Sequence, residues 1–118
     1  MKKLFPFLIC ILILPGCKKD NLGQEVNPDC VTTNVSFSST ISGIINTNCL
    51  GCHGYGNPSG GFSLTTYAGV KAKVDDGRLY GAISHMPGFV PMPDGAPKLS
   101  QCDINKIKSW IDAGALNN

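Results

Sequence analysis

Five consecutive residues, Cys49-Leu50-Gly51-Cys52-His53, constrain the fold of this chain more than any other stretch. Two cysteines three positions apart, with a histidine directly after the second, are the pattern that attaches a haem covalently. The two thiols add across the vinyl groups of the haem, and one helical turn places them along one edge of the macrocycle. His53 can then give the iron a neutral imidazole nitrogen. The motif predicts one covalent haem c bound by Cys49, Cys52 and His53.

Two other kinds of site use paired cysteines at this spacing. A redox-active Cys-x-x-Cys motif usually follows a strand of a βαβ unit, and the sequence before the motif carries no strand pattern. Half of a zinc site would need further ligands, for which Cys30, His85 and Cys102 are the candidates. Both alternatives stay open at this point, although the haem pattern is favoured.

The first sixteen residues have the composition of an export signal and not of a folded element. Lys2 and Lys3 precede an apolar run over residues 4–14, which is too short to span a bilayer. The run leads to Gly16-Cys17, in a stretch that resembles the lipobox of bacterial lipoproteins. We therefore expect a signal peptide that ends at Gly16 and a lipidated Cys17 at the mature N-terminus. An ordinary secretory signal, with Cys17 as a bystander, is the alternative.

The residues that follow predict how the protein is held in the cell envelope. Lys18 gives no obvious signal for retention at the inner membrane, which favours lipid anchoring to the outer membrane, facing the periplasm. Residues 18–29 are polar and predict a flexible tether. Two of the ten basic residues lie in the signal, so eight basic residues balance eight acidic ones. With no basic run in the sequence, we expect no binding to nucleic acid.

The signal, the lipid and the haem account for four of the six cysteines. Cys30 and Cys102 are left in an oxidising compartment, where a disulfide between them is the economical prediction. This bond would tie the segment before the first helix to the start of the last helix. Two unpaired buried cysteines are the alternative.

Apolar residues at three- and four-residue spacing predict an all-α domain. Segments rich in glycine and proline separate the helices. The helices are expected over residues 35–53, 64–74, 79–83 and 100–114. For residues 79–83, a buried strand is the alternative.

The loop over residues 85–98 offers three candidates for the second axial ligand of the iron. Met92 is favoured, because prolines on both sides restrain its backbone and a flexible thioether suits a ligand carried by a loop. Met86 and His85 are the fallback ligands, and ordinary packing is the alternative for all three candidates. Five aromatic residues are candidates for the lining of the haem pocket, with generic core packing as their alternative: Tyr55, Phe62, Tyr67, Tyr80 and Phe89.

These motifs together resemble a known family. Residues 37–114 resemble the compact class I cytochrome c domain found in short bacterial lipoproteins, especially those of Bacteroidetes. The resemblance implies a small all-α fold with three to five helices around one covalent haem, in which the N- and C-terminal helices cross. The motifs that carry it are residues 44–53, Met92-Pro93, Lys98-Leu99-Ser100 and Lys108-Ser109-Trp110-Ile111.

The resemblance also implies roles for single residues. The two cysteines of the motif would attach the haem, and His53 and Met92 would bind the iron. Gly43 would lie where the crossing helices approach each other closely. Trp110 would pack beside the haem.

The expected organisation and function follow from these predictions. Residues 1–16 form a lipoprotein signal peptide, 17–34 the lipidated N-terminus and tether, and 35–118 the cytochrome c domain. With both axial positions filled, the iron has no open site for substrate, so we expect a one-electron carrier that serves a redox partner protein and not an enzyme. The alternatives are a haem enzyme or a gas or redox sensor whose loop ligand dissociates, and a haem-free interaction module.

Overall fold

The computed structural model describes residues 29–118. The predicted signal peptide, the lipidated Cys17 and most of the predicted tether lie outside this range. Within it the chain is helical and contains no strand, which confirms the all-α prediction and excludes a strand at residues 79–83. The elements are a π-helical turn at Phe37–Ile41, α1 at Ser42–Asn48, α2 at Leu50–His53, a 3₁₀ turn at Ser59–Gly61, α3 at Tyr67–Asp75, α4 at Arg78–Ile83 and α5 at Gln101–Asp112.

The predicted first helix is divided into three pieces. Ser36 begins it, because its hydroxyl accepts a hydrogen bond from the backbone N–H of Ser39 at 3.2 Å. The π-helical turn continues directly into α1, which ends where Cys49 leaves helical geometry at φ −122° and ψ −35°. The break at Cys49 starts a separate turn, α2, which carries His53.

Side-chain caps begin α3 and α5. Thr66 caps α3, since its hydroxyl accepts from the backbone N–H of Gly69. Ser100 caps α5 by accepting from the N–H of Asp103 at 3.1 Å and donating to its carboxylate at 2.9 Å. Ser100 is therefore the N-cap residue of α5. No helix within residues 29–118 is both long and apolar enough to cross a membrane.

The first and last helical segments meet in the core. The indole ring of Trp110 is 1% exposed, and its centroid lies 5.7 Å from that of Phe37. The indole N–H donates to the carbonyl oxygen of Leu116 at 2.9 Å, so the burial leaves no polar group unpaired. The largest fully buried side chains are Ile41, Ile45, Val70, Ile107 and Trp110.

The C-terminus closes this core. Asn118 accepts hydrogen bonds from the backbone N–H groups of Phe37 and Ser38, each at 2.8 Å. These two donors belong to the first helical turn, where no carbonyl of the helix itself can reach them. Tyr67 donates its hydroxyl proton to the carbonyl oxygen of Ala115 at 2.8 Å. The last residues of the chain thereby join the first helical segment to α3.

Cys30 and Cys102 form a disulfide, with their Cα atoms 5.6 Å apart. This is the pair that the cysteine count predicts. Nearby, the hydroxyl of Ser109 donates to the carbonyl oxygen of Thr32 at 2.6 Å. The described end of the predicted tether is therefore attached to α5.

Gly43 does not lie at a close approach between helices. It is exposed, and a Cβ atom there would meet no atom of the described chain within 4 Å outside its own helix. The expectation for Gly43 is wrong, because the rings of Phe37 and Trp110 make the contact between the two segments.

Replacing both disulfide cysteines, Cys30→Ala with Cys102→Ala, should lower the free energy of unfolding of the haem-free chain by about 2–4 kcal/mol. The bond links positions 72 residues apart, so breaking it raises the entropy of the unfolded chain. The loss should be smaller with haem attached, because the attachment restrains the same segment. Urea unfolding followed by circular dichroism measures the change. An unchanged unfolding midpoint would contradict a stabilising role for the disulfide.

Candidate functional site

A cleft lies among α2, α4 and the loop that carries Met92. Two cavities of about 430 and 270 Å³ form it, within the size range of cofactor sites. Its walls include the buried side chains of Leu64, Leu79 and Ile83. An apolar ligand therefore suits this wall of the cleft better than a polar ligand does. Five residues line both cavities: Cys49, His53, Phe62, Ile83 and Met92.

His53 is held in one tautomer. Its side chain is buried at 8% exposure, and Nδ1 lies 2.9 Å from the carbonyl oxygen of Ser59. A carbonyl oxygen only accepts, so Nδ1 carries the proton and Nε2 keeps its lone pair. Histidines that bind metals are commonly oriented in this way by a backbone carbonyl. Nε2 of His53 can therefore donate its electron pair to a metal ion.

An aromatic ring packs against His53, and a cation packs against that ring. The ring of Phe62 stacks on the imidazole with centroids 4.4 Å apart and planes 17° apart. The ammonium group of Lys73 lies 4.4 Å from the centroid of Phe62. The stack therefore restrains rotation of the imidazole ring more than the hydrogen bond to Ser59 alone would.

Glycine is required directly after the motif. A Cβ atom at Gly54 would collide with the carbonyl oxygen of Leu50, one turn earlier in α2. Beyond this point the chain turns back, so that the backbone N–H of Leu64 donates to the carbonyl oxygen of His53 at 2.8 Å. The side chains that surround His53 can approach it because the chain bends sharply at Gly54.

Cys49 and Cys52 are the two free thiols of the described residues. Cys49 is half-buried and lines both cavities, whereas Cys52 is exposed and lines only the smaller one. Burial raises the pKa of the Cys49 thiol from 9.0 to about 11, because an apolar environment disfavours the thiolate. Both thiols adjoin the cleft, as covalent attachment of a ligand there would require.

Of the three candidates for the second ligand, Met92 shares both cavities with His53. Its backbone N–H donates to the carbonyl oxygen of Ala82 at 3.0 Å. Its own carbonyl oxygen lies 3.0 Å from Nε2 of His85. Met86 is 43% exposed, and neither Met86 nor His85 lines the cavities.

The zinc alternative lacks a set of converging ligands. Cys30 and Cys102 bond to each other, and His85 is engaged with the backbone of Met92. Among residues 29–118, no group of three or more histidine, cysteine or acidic side chains could hold a metal ion. The redox alternative also lacks its usual setting, since no strand precedes the motif in the described chain.

Only two of the five aromatic candidates line the cleft, namely Phe62 and Phe89. Tyr55 is 90% exposed. Tyr67 packs edge-on against Phe37, with centroids 5.1 Å apart. Tyr80 lies beneath the ammonium group of Lys108. Trp110, expected beside the haem, is also absent from the lining residues and packs in the core.

A cluster of three charged side chains at one end of the cleft could not be predicted from the sequence. Asp76 lies 3.4 Å from the ammonium of Lys73 and 3.7 Å from the guanidinium of Arg78, and all three line the larger cavity. The hydrogen bond from the backbone N–H of Arg78 holds the pKa of Asp76 below its usual value, and Lys73 contributes to the shift. This end of the cleft therefore carries two positive charges and one negative charge.

No protein-family model, curated protein or solved structure matches the chain. The fit of a haem therefore depends on features of the chain itself. His53 offers Nε2, two thiols adjoin the cleft, and the walls are largely apolar. These features suit a covalently attached haem, and they are brought together by elements on both sides of the cleft.

In the haem-free chain, iodoacetamide should alkylate Cys52 faster than Cys49. Raising a thiol pKa from 9.0 to about 11 lowers its thiolate fraction about a hundredfold at lower pH, and the thiolate is the form that reacts. The rate at Cys49 should keep rising with pH until about 11. Timed labelling and peptide mass spectrometry measure both rates. Equal rates at the two cysteines would contradict the burial of Cys49.

Gly54→Ala should lower the free energy of unfolding by about 1–3 kcal/mol, because the added methyl group collides with backbone. Gly43→Ala is the matched control at an exposed helical position with free space. It should raise the free energy of unfolding by about 0.5–1 kcal/mol. Urea midpoints of the two haem-free variants measure the effects. A Gly54→Ala variant as stable as the parent, or more stable, would count against this account of Gly54.

Proposed function

We propose that this protein carries single electrons on one covalently attached haem c. The observation that carries the proposal is the tautomer of His53, whose Nε2 is left free inside a cleft shared with Met92 and Cys49. A structural histidine satisfied by its neighbours would not need this surrounding set of thiol and thioether groups. The arrangement supports a haem ligand more than a core histidine.

The small class I cytochrome c fold belongs to the same proposal. Its support is the all-α architecture of residues 29–118, with five α-helices, and the packing of the first helical segment on α5. The haem would lie in the cleft, with the motif at one side and the loop of Met92 at another. This is the arrangement that the resemblance of residues 37–114 implies.

Each residue of the site has a separate task in this proposal. Cys49 and Cys52 would hold the haem through thioether bonds, while Nε2 of His53 and the sulfur of Met92 would bind the iron. The bound haem supplies a one-electron ferrous–ferric couple, and a methionine ligand raises its potential. With both axial positions taken by side chains, the site has no place for a substrate, so the protein is proposed to be an electron carrier and not an enzyme.

The surroundings of the cleft suit this task. Leu64, Leu79 and Ile83 are 6%, 5% and 3% exposed, so they exclude water from the wall that they form. An apolar wall of this kind raises the potential of a cofactor, because it disfavours the more highly charged state. Cys52 is exposed, which would bring the attached edge of the haem to the surface. A redox partner protein could exchange electrons at that edge.

The proposed location in the cell envelope fits this function. Export through the signal at residues 1–16 would place the chain where c-type haem is attached and where a disulfide persists. The disulfide of Cys30 and Cys102 supports such a compartment. Lipid on Cys17 would hold the domain at the bacterial cell envelope, on the periplasmic face of the outer membrane. The carrier would then work within reach of a membrane surface.

The full chain, produced together with haem-attachment machinery, tests the proposal. Covalent haem should survive denaturing electrophoresis, and the ferric protein should give a six-coordinate low-spin spectrum with the weak far-red band of a methionine–iron bond. Absence of covalent haem would favour the interaction module. A high-spin spectrum that responds readily to carbon monoxide would favour the haem enzyme or sensor.

Met92→Ala tests the second ligand, with Met86→Ala as its matched control. We expect Met92→Ala to lose the far-red band and to lower the midpoint potential by on the order of 100 mV, since the axial ligand sets the potential. Met86→Ala should leave both unchanged, because Met86 lies outside the cleft lining. A far-red band that persists without Met92 would transfer the ligand role to Met86, whereas a six-coordinate low-spin parent protein that lacks this band would indicate His85.

A further inference from the structure

We infer that His85 is a positioning residue, which holds Met92 in the cleft through a hydrogen bond to its backbone. The inference rests on the proposed function, because Met92 needs a fixed position only if its sulfur binds a ligand in the cleft. It also gives His85 a role different from that of a fallback iron ligand.

Met92 is held at both of its backbone polar groups. Its N–H donates to the carbonyl oxygen of Ala82 at 3.0 Å, and its carbonyl oxygen accepts from Nε2 of His85 at 3.0 Å. Both partners belong to the C-terminal end of α4 and the residues just beyond it. Because Leu79 and Ile83 anchor α4 in the core, the two bonds fix Met92 relative to the core.

The same bond determines the tautomer of His85. Since the carbonyl of Met92 can only accept, Nε2 of His85 carries a proton and donates it. Ligation through Nε2 would require this bond to break and the ring to leave its position outside the cleft lining. The geometry thus assigns the iron-facing role to Met92 and the supporting role to His85.

The backbone of His85 is also unusual. It has φ +53°, in the left-handed region that costs a non-glycine residue about 1 kcal/mol. Glycine would adopt this conformation with less strain. A substitution by glycine therefore removes the imidazole without adding backbone strain, which separates the effect of the side chain from that of the turn.

The haem-loaded full chain permits a direct measurement with added imidazole. Free imidazole binds the ferric iron only when the protein's own sixth ligand has moved away, so its apparent Kd reports the open population. Loss of one hydrogen bond should raise that population about three- to tenfold. His85→Gly should accordingly lower the apparent Kd for imidazole about three- to tenfold.

His85→Gln and Met86→Ala are the controls. The amide N–H of the glutamine can replace Nε2–H as the donor, so His85→Gln should restore a Kd within about twofold of the parent. Met86→Ala, beside His85 and outside the cleft lining, should also stay within about twofold. The far-red band should remain in both controls and weaken in His85→Gly. Thermal melting checks that each variant folds. If His85→Gly melts at a lower temperature than the parent, the apparent Kd for imidazole of His85→Gln is compared with that of His85→Leu instead.

The outcomes separate this inference from the proposed function. An unchanged Kd for imidazole in His85→Gly, with a far-red band that Met92→Ala abolishes, would overturn the positioning role and leave the electron carrier intact. A far-red band that survives Met92→Ala would overturn the role of Met92 and, with it, that of His85. Loss of six-coordination in His85→Gly but not in Met92→Ala would identify His85 as the ligand and overturn the inference.

Discussion

The hydrogen bond from Nδ1 of His53 to the carbonyl oxygen of Ser59 governs what the cleft can bind. Because this bond keeps the proton on Nδ1, the free electron pair is on Nε2, and the imidazole can face the cleft as a metal ligand and not as a hydrogen-bond donor. The bond in turn depends on the bend at Gly54, where any side chain would collide with Leu50. The stack of Phe62 on His53 holds the ring once the bend has brought it into place.

The two sides of the cleft are built differently. On one side, the motif lies on α2, and its histidine is fixed by contacts within a short span of chain. On the other side, Met92 lies on a loop without helical structure, and bonds to α4 supply its restraint. The proposed iron site therefore combines a ligand determined by local sequence with one determined by tertiary contacts. The second is the part of the site that substitutions outside the cleft can loosen.

Local chemistry explains which features could be predicted from the sequence. Helix caps such as Ser36 and Ser100 depend on residues three positions away, and the disulfide of Cys30 and Cys102 follows from counting thiols. The acceptor for His53 could not be predicted, because it is a backbone carbonyl and every residue has one. The place of Lys73 beside Phe62 could not be predicted either, because it depends on how α3 packs.

The wrong expectations have a physical cause as well. A glycine within a helix indicates either a close contact or a tolerated cost, and at Gly43 the second holds. The sequence pattern does not distinguish the five aromatic candidates, yet a hydroxyl needs a partner when it is buried. Tyr67 finds that partner at Ala115, away from the cleft, whereas Phe62 and Phe89 have no such requirement and line it.

The attachment of residues 30–32 to α5 sets how far the domain could stand from a membrane. If Cys17 carries lipid, only twelve residues, 18–29, separate the anchor from the disulfide at Cys30. Even fully extended, such a segment reaches at most about 45 Å. The start of α5, where Cys102 lies, would be the pivot about which the domain turns. A partner that exchanges electrons with this protein would then have to present its own cofactor within a thin layer above the lipid surface.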